Sequence, residues 1–199
     1  MIENPLAAKL AGHTLILASG SPRRKRFFEE LGIPFEIRLK SVEEVYPETL
    51  QREEIPSYLA QLKASMFTHG LQAHEILITS DTLVWHNGTS LAKASSEKEA
   101  LQMLRLLSGG WHEVITSVCL TTNTAQKTVF QSTQVKFAKL SEDEISYYVN
   151  AYRPFDKAGA YGIQEWIGLV GIEEINGSYT NVVGLPTHLV YKTLMDMVS

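Results

Sequence analysis

One run constrains this chain more than any other stretch: Leu15-Ile16-Leu17-Ala18-Ser19-Gly20-Ser21-Pro22-Arg23-Arg24. A short apolar segment enters four small residues, and Pro22 then opens a helix. Ser21 is an N-cap by type, because its hydroxyl accepts from the free N–H groups of the first turn. Pro22 suits the first helical position, where its missing N–H removes no bond. The pattern predicts a strand over about 15–18 and a helix over about 22–31, stopped at Leu31-Gly32. Arg23, Arg24, Lys25 and Arg26 then crowd cations into that helix start, where the macrodipole disfavours each by about 0.3–1 kcal/mol. A bound anion reverses the sign, since free N–H groups and guanidinium forks converge on it. A surface helix with a solvated basic face is the alternative at this point. No Gly-Lys-Ser/Thr follows, which argues against a P-loop.

Composition narrows the ligand. The net charge is −4, so no global basic field recruits nucleic acid. A cationic cluster on a mildly acidic chain suggests a small anion instead. With 199 residues the sequence fits one domain, 1–199, and can bury a real core. The single cysteine, Cys119, sits in the apolar run Val118-Cys119-Leu120 and reads as a core thiol. Its solitude fits a reducing, cytoplasmic compartment. No apolar run nears membrane-spanning length and no signal-peptide h-region is present, so no membrane partner is expected.

Residues 1–13 read as an irregular lead-in. Pro34 to Leu39 alternates apolar and charged residues, as a half-buried strand does. Glu43-Glu44 lies in a polar connection, either solvated or offered to a cation. Pro56 opens a helix to about His69, with Tyr58, Leu59, Leu62, Met66 and Phe67 as its stripe. Lys63 lies beside that stripe, where it either snorkels or points into a cleft. Ile76 to Ser80 reads as a buried strand ending at Asp81-Thr82. Open α/β sheets place binding chemistry just beyond such strands, although an acid is also a routine strand end. Asn87-Gly88 is a hairpin turn, returning through Ser90-Leu91-Ala92-Lys93.

Ser96 to Glu99 and Ser141 to Glu144 both read as capping boxes, for helices through Leu107 and to about Ala151. Ala100, Leu101, Leu104 and Leu107 form the core face of the first. Val114–Thr121 and Thr128–Phe137 are rich in β-branched residues and read as paired strands. His112 defaults to a satisfied structural histidine, and the histidines show no metal-ligand spacing. In the loop Asp156-Lys157-Ala158-Gly159-Ala160-Tyr161-Gly162-Ile163-Gln164, glycines permit close backbone approach to a ligand. Gln164 has one donor and one acceptor with which to read a base edge. A turn-rich connection with an Asp–Lys pair is the other reading. Ile167–Ile175 and Tyr179–Val183 look strand-like, and Pro186 opens a last helix with Leu189, Val190, Leu194 and Met197 inward.

Taken in order, Ser19-Gly20-Ser21-Pro22-Arg23-Arg24, Ser80-Asp81-Thr82, Leu107-Ser108-Gly109 with His112, the Asp156–Gln164 block and Val183-Gly184-Leu185-Pro186 resemble the Maf family. Those proteins are nucleoside triphosphate pyrophosphatases, once described as septum-formation inhibitors. Asp-Thr and Asp-Lys-Ala-Gly-Ala-Tyr-Gly-Ile-Gln are similar to the branch acting on dTTP and UTP. The resemblance implies an α/β fold like that of inosine triphosphate pyrophosphatases: a mixed twisted sheet, flanking helices and a cleft between two lobes. It implies hydrolysis to monophosphate and pyrophosphate with Mg²⁺ or Mn²⁺, and a homodimer. A nucleotide-binding regulator of cell division without turnover is the alternative. By position Asp81 matches the general base, and Arg23, Thr82 and Gln164 match positions tied to base selection. Ser19, Arg24, Glu44, Lys63 and Lys93 match the polar lining, and Ser21, Asp156 and Lys157 fall in blocks expected to bind substrate. Asp81 and Glu44 are the expected metal ligands. Where the family usually has Leu-Gly-Lys-Pro, this chain has Leu91-Ala92-Lys93-Ala94.

Overall fold

Eight helices and seven strands make up the computed structural model, which describes residues 3–67 and 70–198. In chain order they are α1 (Pro5–Lys9), β1 (Thr14–Leu17), α2 (Pro22–Glu30), β2 (Glu36–Ile37), α3 (Glu54–Ser65), β3 (Glu75–His86) and β4 (Thr89–Leu91). There follow α4 (Glu97–Leu107), β5 (Trp111–Thr121), β6 (Gln126–Phe137), α5 (Glu142–Tyr152), α6 (Trp166–Gly171), β7 (Ile172–Asn176), α7 (Tyr179–Val183) and α8 (Thr187–Met197). The strands form one mixed sheet in the order β2-β1-β3-β5-β6-β7, with β4 on β3. β1 runs parallel to β2 and to β3, while β4 and β7 pair antiparallel with β3 and β6. The α/β class and the mixed sheet expected from the sequence are borne out. The chain divides into two compact units: Met1–Asp81 with Thr116–Gln131 and Gly184–Ser199, and Thr82–Ile115 with Ser132–Val183.

The first unit is built on the parallel pair, registered from Thr14 opposite Glu75 to Leu17 opposite Ile78. Parallel strands are covered on both faces and so read as continuous apolar runs. Leu15, Leu17, Ile76 and Ile78 pack with Phe28 of α2 and with Leu185, Val190 and Leu194 of the α8 region. On the opposite face Ile16 and Leu77 pack with Ala60, Ala64, Phe67 and Cys119. Each such side chain contributes about 1.5–3 kcal/mol on burial. Ser21 caps α2 as its type demands, accepting from Arg24 N–H at 3.5 Å, and Gly32 follows the helix at φ +66°. Ser141 and Glu144 close a full capping box on α5. Ser96 caps α4, but the Glu99 carboxylate turns to Ser95, whose N–H and hydroxyl donate at 2.7 and 2.6 Å. Two donors from one neighbour outbid the single N–H of Ser96.

Several elements differ from the sequence reading, each for a local reason. Within 1–13 lies α1, where Pro5 follows Asn4, whose side chain accepts from Leu6 and Ala7 N–H; Leu6 is buried. The half-buried strand expected at 34–39 shrinks to β2, whose two residues are exposed. Helix α3 ends at Ser65 and turns a different face inward: Leu59, Ala60 and Ala64 are buried, with Tyr58 and Met66 exposed. The small alanines let the helix sit close to the sheet, and His69 lies outside the described residues. In α4 the buried face takes Met103 rather than Leu101. Strand β3 does not stop at Ser80. β1 pairs it through Ile78, and β4 takes it up again from Val84 to His86, so Asp81 lies within the strand. The run expected as a strand from Ile167 is α6 followed by β7, and Tyr179–Val183 is the short helix α7. A short apolar run satisfies either period. Gly168 fixes the outcome, since a Cβ there would lie 1.7 Å from the Ile163 carbonyl oxygen.

Candidate functional site

In the first unit, three elements bring charge together. Thr79 and Asp81 lie two apart on β3 and so share a sheet face. The Thr79 hydroxyl donates to the Ala60 carbonyl at 2.7 Å, pinning α3 over that face. Lys63, one turn further along α3, is thereby set against Asp81. Its Nζ lies 2.5 Å from Asp81 Oδ1 and 2.8 Å from Glu44 Oε1, the latter carried on the loop after β2. Lys63 therefore neither snorkels nor waits idle: one ammonium is clasped by two carboxylates. The Asp81 and Lys63 side chains are 14% and 17% exposed, Glu44 42%, so the cluster is sheltered yet reachable. Thr79 is a positioning residue that sequence reasoning missed; its i, i+2 spacing to Asp81 was the available signal.

Beside this cluster Arg24 is knitted into the backbone. Its Nε donates to the Gly184 carbonyl at 2.8 Å and one terminal nitrogen to the Ser80 carbonyl at 2.9 Å. The same nitrogen reaches Ser19 Oγ at 3.4 Å, which also accepts from Ser21 N–H at 3.3 Å. Burial lowers the Arg24 pKa from its ordinary value, with Asp81 opposing that and neighbouring Arg23 reinforcing it. An arginine remains cationic under such a shift. Ser19, Ser21, Arg23, Arg24, Glu44, Lys63 and Asp81 thus belong to one neighbourhood of the first unit. Glu44 and Asp81 are hard oxygen donors already converging on one cationic atom. Mg²⁺ and Mn²⁺ are suited by one or two carboxylates plus phosphate oxygens, so this donor set fits such an ion. Among the described residues no group of three or more His, Cys, Asp or Glu side chains is gathered.

The second unit contains Thr82, Lys93 and the Asp156–Gln164 loop. Lys93 is exposed, and its backbone forms an antiparallel bridge with Ala158. Gly159 N–H donates to the Leu91 and Ala92 carbonyls at 3.1 and 3.2 Å, and Ala94 is buried. Ala92 thus takes part through its carbonyl in the bonding that holds Lys93 to the loop, and Ala94 is packed inside beside it. Lys157 is buried, with its ammonium 2.7 Å from Asp156 Oδ1 and 3.0 Å from Glu165 Oε1. Gln164 is exposed. Tyr148 of α5 donates its hydroxyl to Glu165 Oε2 and accepts from Gly162 N–H at 3.0 Å. Burial first, and the adjoining Glu165 second, push the Tyr148 hydroxyl pKa up, so it stays a donor. Sequence reasoning singled out neither Tyr148 nor Glu165. His112 is buried, pairs through Nε2 with the Tyr161 hydroxyl at 2.7 Å, and packs edge-on to Phe137. Burial, aided by His86, holds its pKa down to about 3. It is a neutral structural histidine, as its type suggested.

No described helix is long and apolar enough to cross a membrane. The family model for Maf-like proteins matches residues 14–197. A dTTP/UTP pyrophosphatase of Christiangramia forsetii is 54% identical over 190 residues, covering 96% of this chain and 97% of its own. Another, from Flavobacterium johnsoniae, is 52% identical over 193 residues, covering 97% and 100%. Among solved structures the Staphylococcus aureus Ham1 protein aligns over 92% of this chain and 99% of its own. Its TM-score is 0.52 at 15% identity, a likeness of fold alone.

Proposed function

Because this chain belongs to the Maf-like protein family, we propose that it is a pyrophosphatase hydrolysing dTTP and UTP to the monophosphate and pyrophosphate. The observation that carries the reading is the Lys63 ammonium clasped by Asp81 and Glu44. A triphosphate carries about four negative charges, and its hydrolysis needs charge neutralisation and an in-line water more than covalent chemistry. Arg23, Arg24, Lys63 and Lys93 supply the cations, with Ser19 and Ser21 as polar contacts at the start of α2. Asp81 orients the water and takes its proton as the water attacks the α-phosphorus and the bond to the bridging oxygen breaks. Asp81 and Glu44 would hold Mg²⁺ or Mn²⁺, which supplies further neutralisation of phosphate charge when bound. Asp156 and Lys157, already paired with each other, serve the substrate through the loop they hold. The lone buried cysteine supports a reducing cytoplasm as the compartment.

Gln164, with Arg23 and Thr82, is assigned to the base. A primary amide donates to one carbonyl and accepts from N3–H of uracil or thymine. An amide held in that orientation meets in cytosine an amino group and a bare N3, leaving polar groups unmatched at about 1–3 kcal/mol, a tenfold to hundredfold preference. The test is kcat/KM on dTTP, UTP, CTP and GTP at fixed Mg²⁺, read as pyrophosphate release, for wild type and Gln164→Ala. We expect dTTP and UTP to lead, and the variant to flatten that ranking. A wild type that prefers GTP would sink the pyrimidine assignment, and no turnover at all would leave a binding protein.

A further inference from the structure

We propose that Glu165 and Tyr148 are positioning residues for specificity: together they hold the Gln164 amide where it meets the base edge. The inference rests on the reading of Gln164 given above. Gln164 is exposed, so packing alone does not fix its side chain. Its neighbours are fixed with unusual thoroughness. The Glu165 carboxylate is engaged at both oxygens, by the Tyr148 hydroxyl at Oε2 and by Lys157 Nζ at Oε1, the latter 3.0 Å away. The Tyr148 hydroxyl also accepts from Gly162 N–H at 3.0 Å. One phenol on α5 therefore ties together Gly162 and Glu165, which flank Gln164. Through Glu165 it also reaches Lys157, eight residues earlier in the chain.

Two further observations show that this loop needs holding. Gly159 and Ala160 follow one another in left-handed conformation, at φ +66° and +54°. An alanine persists there at a cost of about 1–2 kcal/mol only where its surroundings over-determine it. The Gln164 amide itself lies against the clamp. A Cβ built on Gly162 would stand 2.8 Å from Gln164 Nε2, and 3.0 Å from both Glu165 Cδ and Lys157 Cε. The amide nitrogen of Gln164, the carboxyl carbon of Glu165 and the last methylene of Lys157 thus crowd the same bare glycine. Gln164 therefore sits beside the Glu165 and Lys157 side chains that Tyr148 anchors.

The experiment uses the full chain with Tyr148→Phe, Glu165→Gln and Glu165→Ala, each checked for folding by thermal unfolding. The first readout is the UTP/CTP ratio of kcat/KM. Tyr148→Phe and Glu165→Ala are expected to lower it about tenfold, towards the Gln164→Ala value, with CTP turnover falling less than UTP turnover. Glu165→Gln keeps an acceptor for Tyr148 and should restore most of the ratio. In a Gln164→Ala background Tyr148→Phe should lower it no further. The second readout needs no activity: the side-chain amide resonance of Gln164, assigned by its loss in Gln164→Ala. It should be distinct in wild type and collapse to an averaged position in Tyr148→Phe. Equal loss on every nucleotide, with that resonance unmoved, overturns the proposal. If Gln164→Ala leaves the wild-type ranking intact, the base-reading assignment has failed instead. The resonance then decides the clamp alone: averaged in Tyr148→Phe it stands, unmoved it falls. If Tyr148→Phe does not fold, Glu165→Ala carries the same test: a lowered ratio with an averaged Gln164 resonance sustains the clamp, and both unchanged overturn it.

Discussion

Two lysines, one in each unit, stand between two carboxylates, and their surroundings send them to different work. Lys63 joins Asp81 and Glu44 at a sheltered but open position, held in place by a helix pinned through Thr79. Lys157 joins Asp156 and Glu165 with its ammonium buried, and Glu165 is engaged again by Tyr148. The same triad of charges differs in what can replace a partner. Around Lys63 an incoming phosphate or divalent ion can take the place of one partner, because Glu44 is 42% exposed and reaches the ammonium from a loop. Around Lys157 the Glu165 carboxylate is also bound by Tyr148, so removing Lys157 breaks a joined network rather than one pair and costs more. Exposure does not separate the two clusters, at 17, 14 and 42% for Lys63, Asp81 and Glu44 against 9, 58 and 20% for Lys157, Asp156 and Glu165; the added bond from Tyr148 to Glu165 does.

The sharpest way to break this comparison is Asp81→Asn. The shape is kept, while the base and one metal charge are lost. Turnover should fall about 10²-fold or more, on the scale of general-base catalysis. KM should change little, and stability by about 1 kcal/mol, since the amide keeps an oxygen that accepts from Lys63. Steady-state pyrophosphate release and thermal unfolding measure the two. Near-wild-type turnover would move the base elsewhere, with Glu44 the first candidate.

A paired substitution sharpens the contrast directly. Lys157→Met should cost about 3 kcal/mol, the low end for a broken buried pair because Asp156 is largely exposed. For a chain of this size that is a drop of roughly 6–12 °C in Tm. Lys63→Met leaves Asp81 without its cation and should cost less, about 1–2 kcal/mol, and yet lose at least about tenfold in turnover. Should both variants melt alike, the division between an exchangeable and a committed cluster is wrong.

How much of this was legible in the sequence follows from the range of the interactions. The turn from Leu15 to Arg24 was readable because caps, proline and an apolar run act within a few residues. Arg24, Glu44, Lys63 and Asp81 stood out by type with a structural alternative open, and the family resemblance added Ser19, although nothing local placed Lys63 over Asp81. That placement comes from Thr79 and two alanines of α3, which a search for large apolar residues passes over. The strand through Asp81 was cut short because its hairpin partner, β4, takes up pairing only at Val84. Around Gln164 the deciding bond joins Tyr148 to Glu165 across 17 residues and two elements. No spacing rule announces such a bond, and Gly168, which makes α6 a helix, shows its reason only against the Ile163 carbonyl.

The smallest effect concerns His112, and it asks whether the second unit's buried polar groups are structural throughout. Its ring is enclosed by Phe137 and Tyr161, Nε2 is taken by the Tyr161 hydroxyl, and buried Nδ1 has no partner. A proton on Nδ1 would be buried without an acceptor, which agrees with a pKa held down to about 3. Above the unfolded value of about 6.5, folded and unfolded chains are both neutral at this residue, and it contributes nothing to pH dependence. As pH falls below 6.5 the unfolded chain takes a proton that the folded chain refuses. Stability then declines by about 1.4 kcal/mol per pH unit, a trend that continues towards pH 3. His112→Gln removes the titration and keeps an amide within reach of Tyr161. Denaturant unfolding between pH 7 and 5 should show the wild type losing stability faster than the variant, by up to that slope. Parallel curves would mean that His112 takes up a proton in the folded chain. The second unit would then carry a titrating group of its own, and the contrast with the Lys63 cluster would lose its sharpest edge.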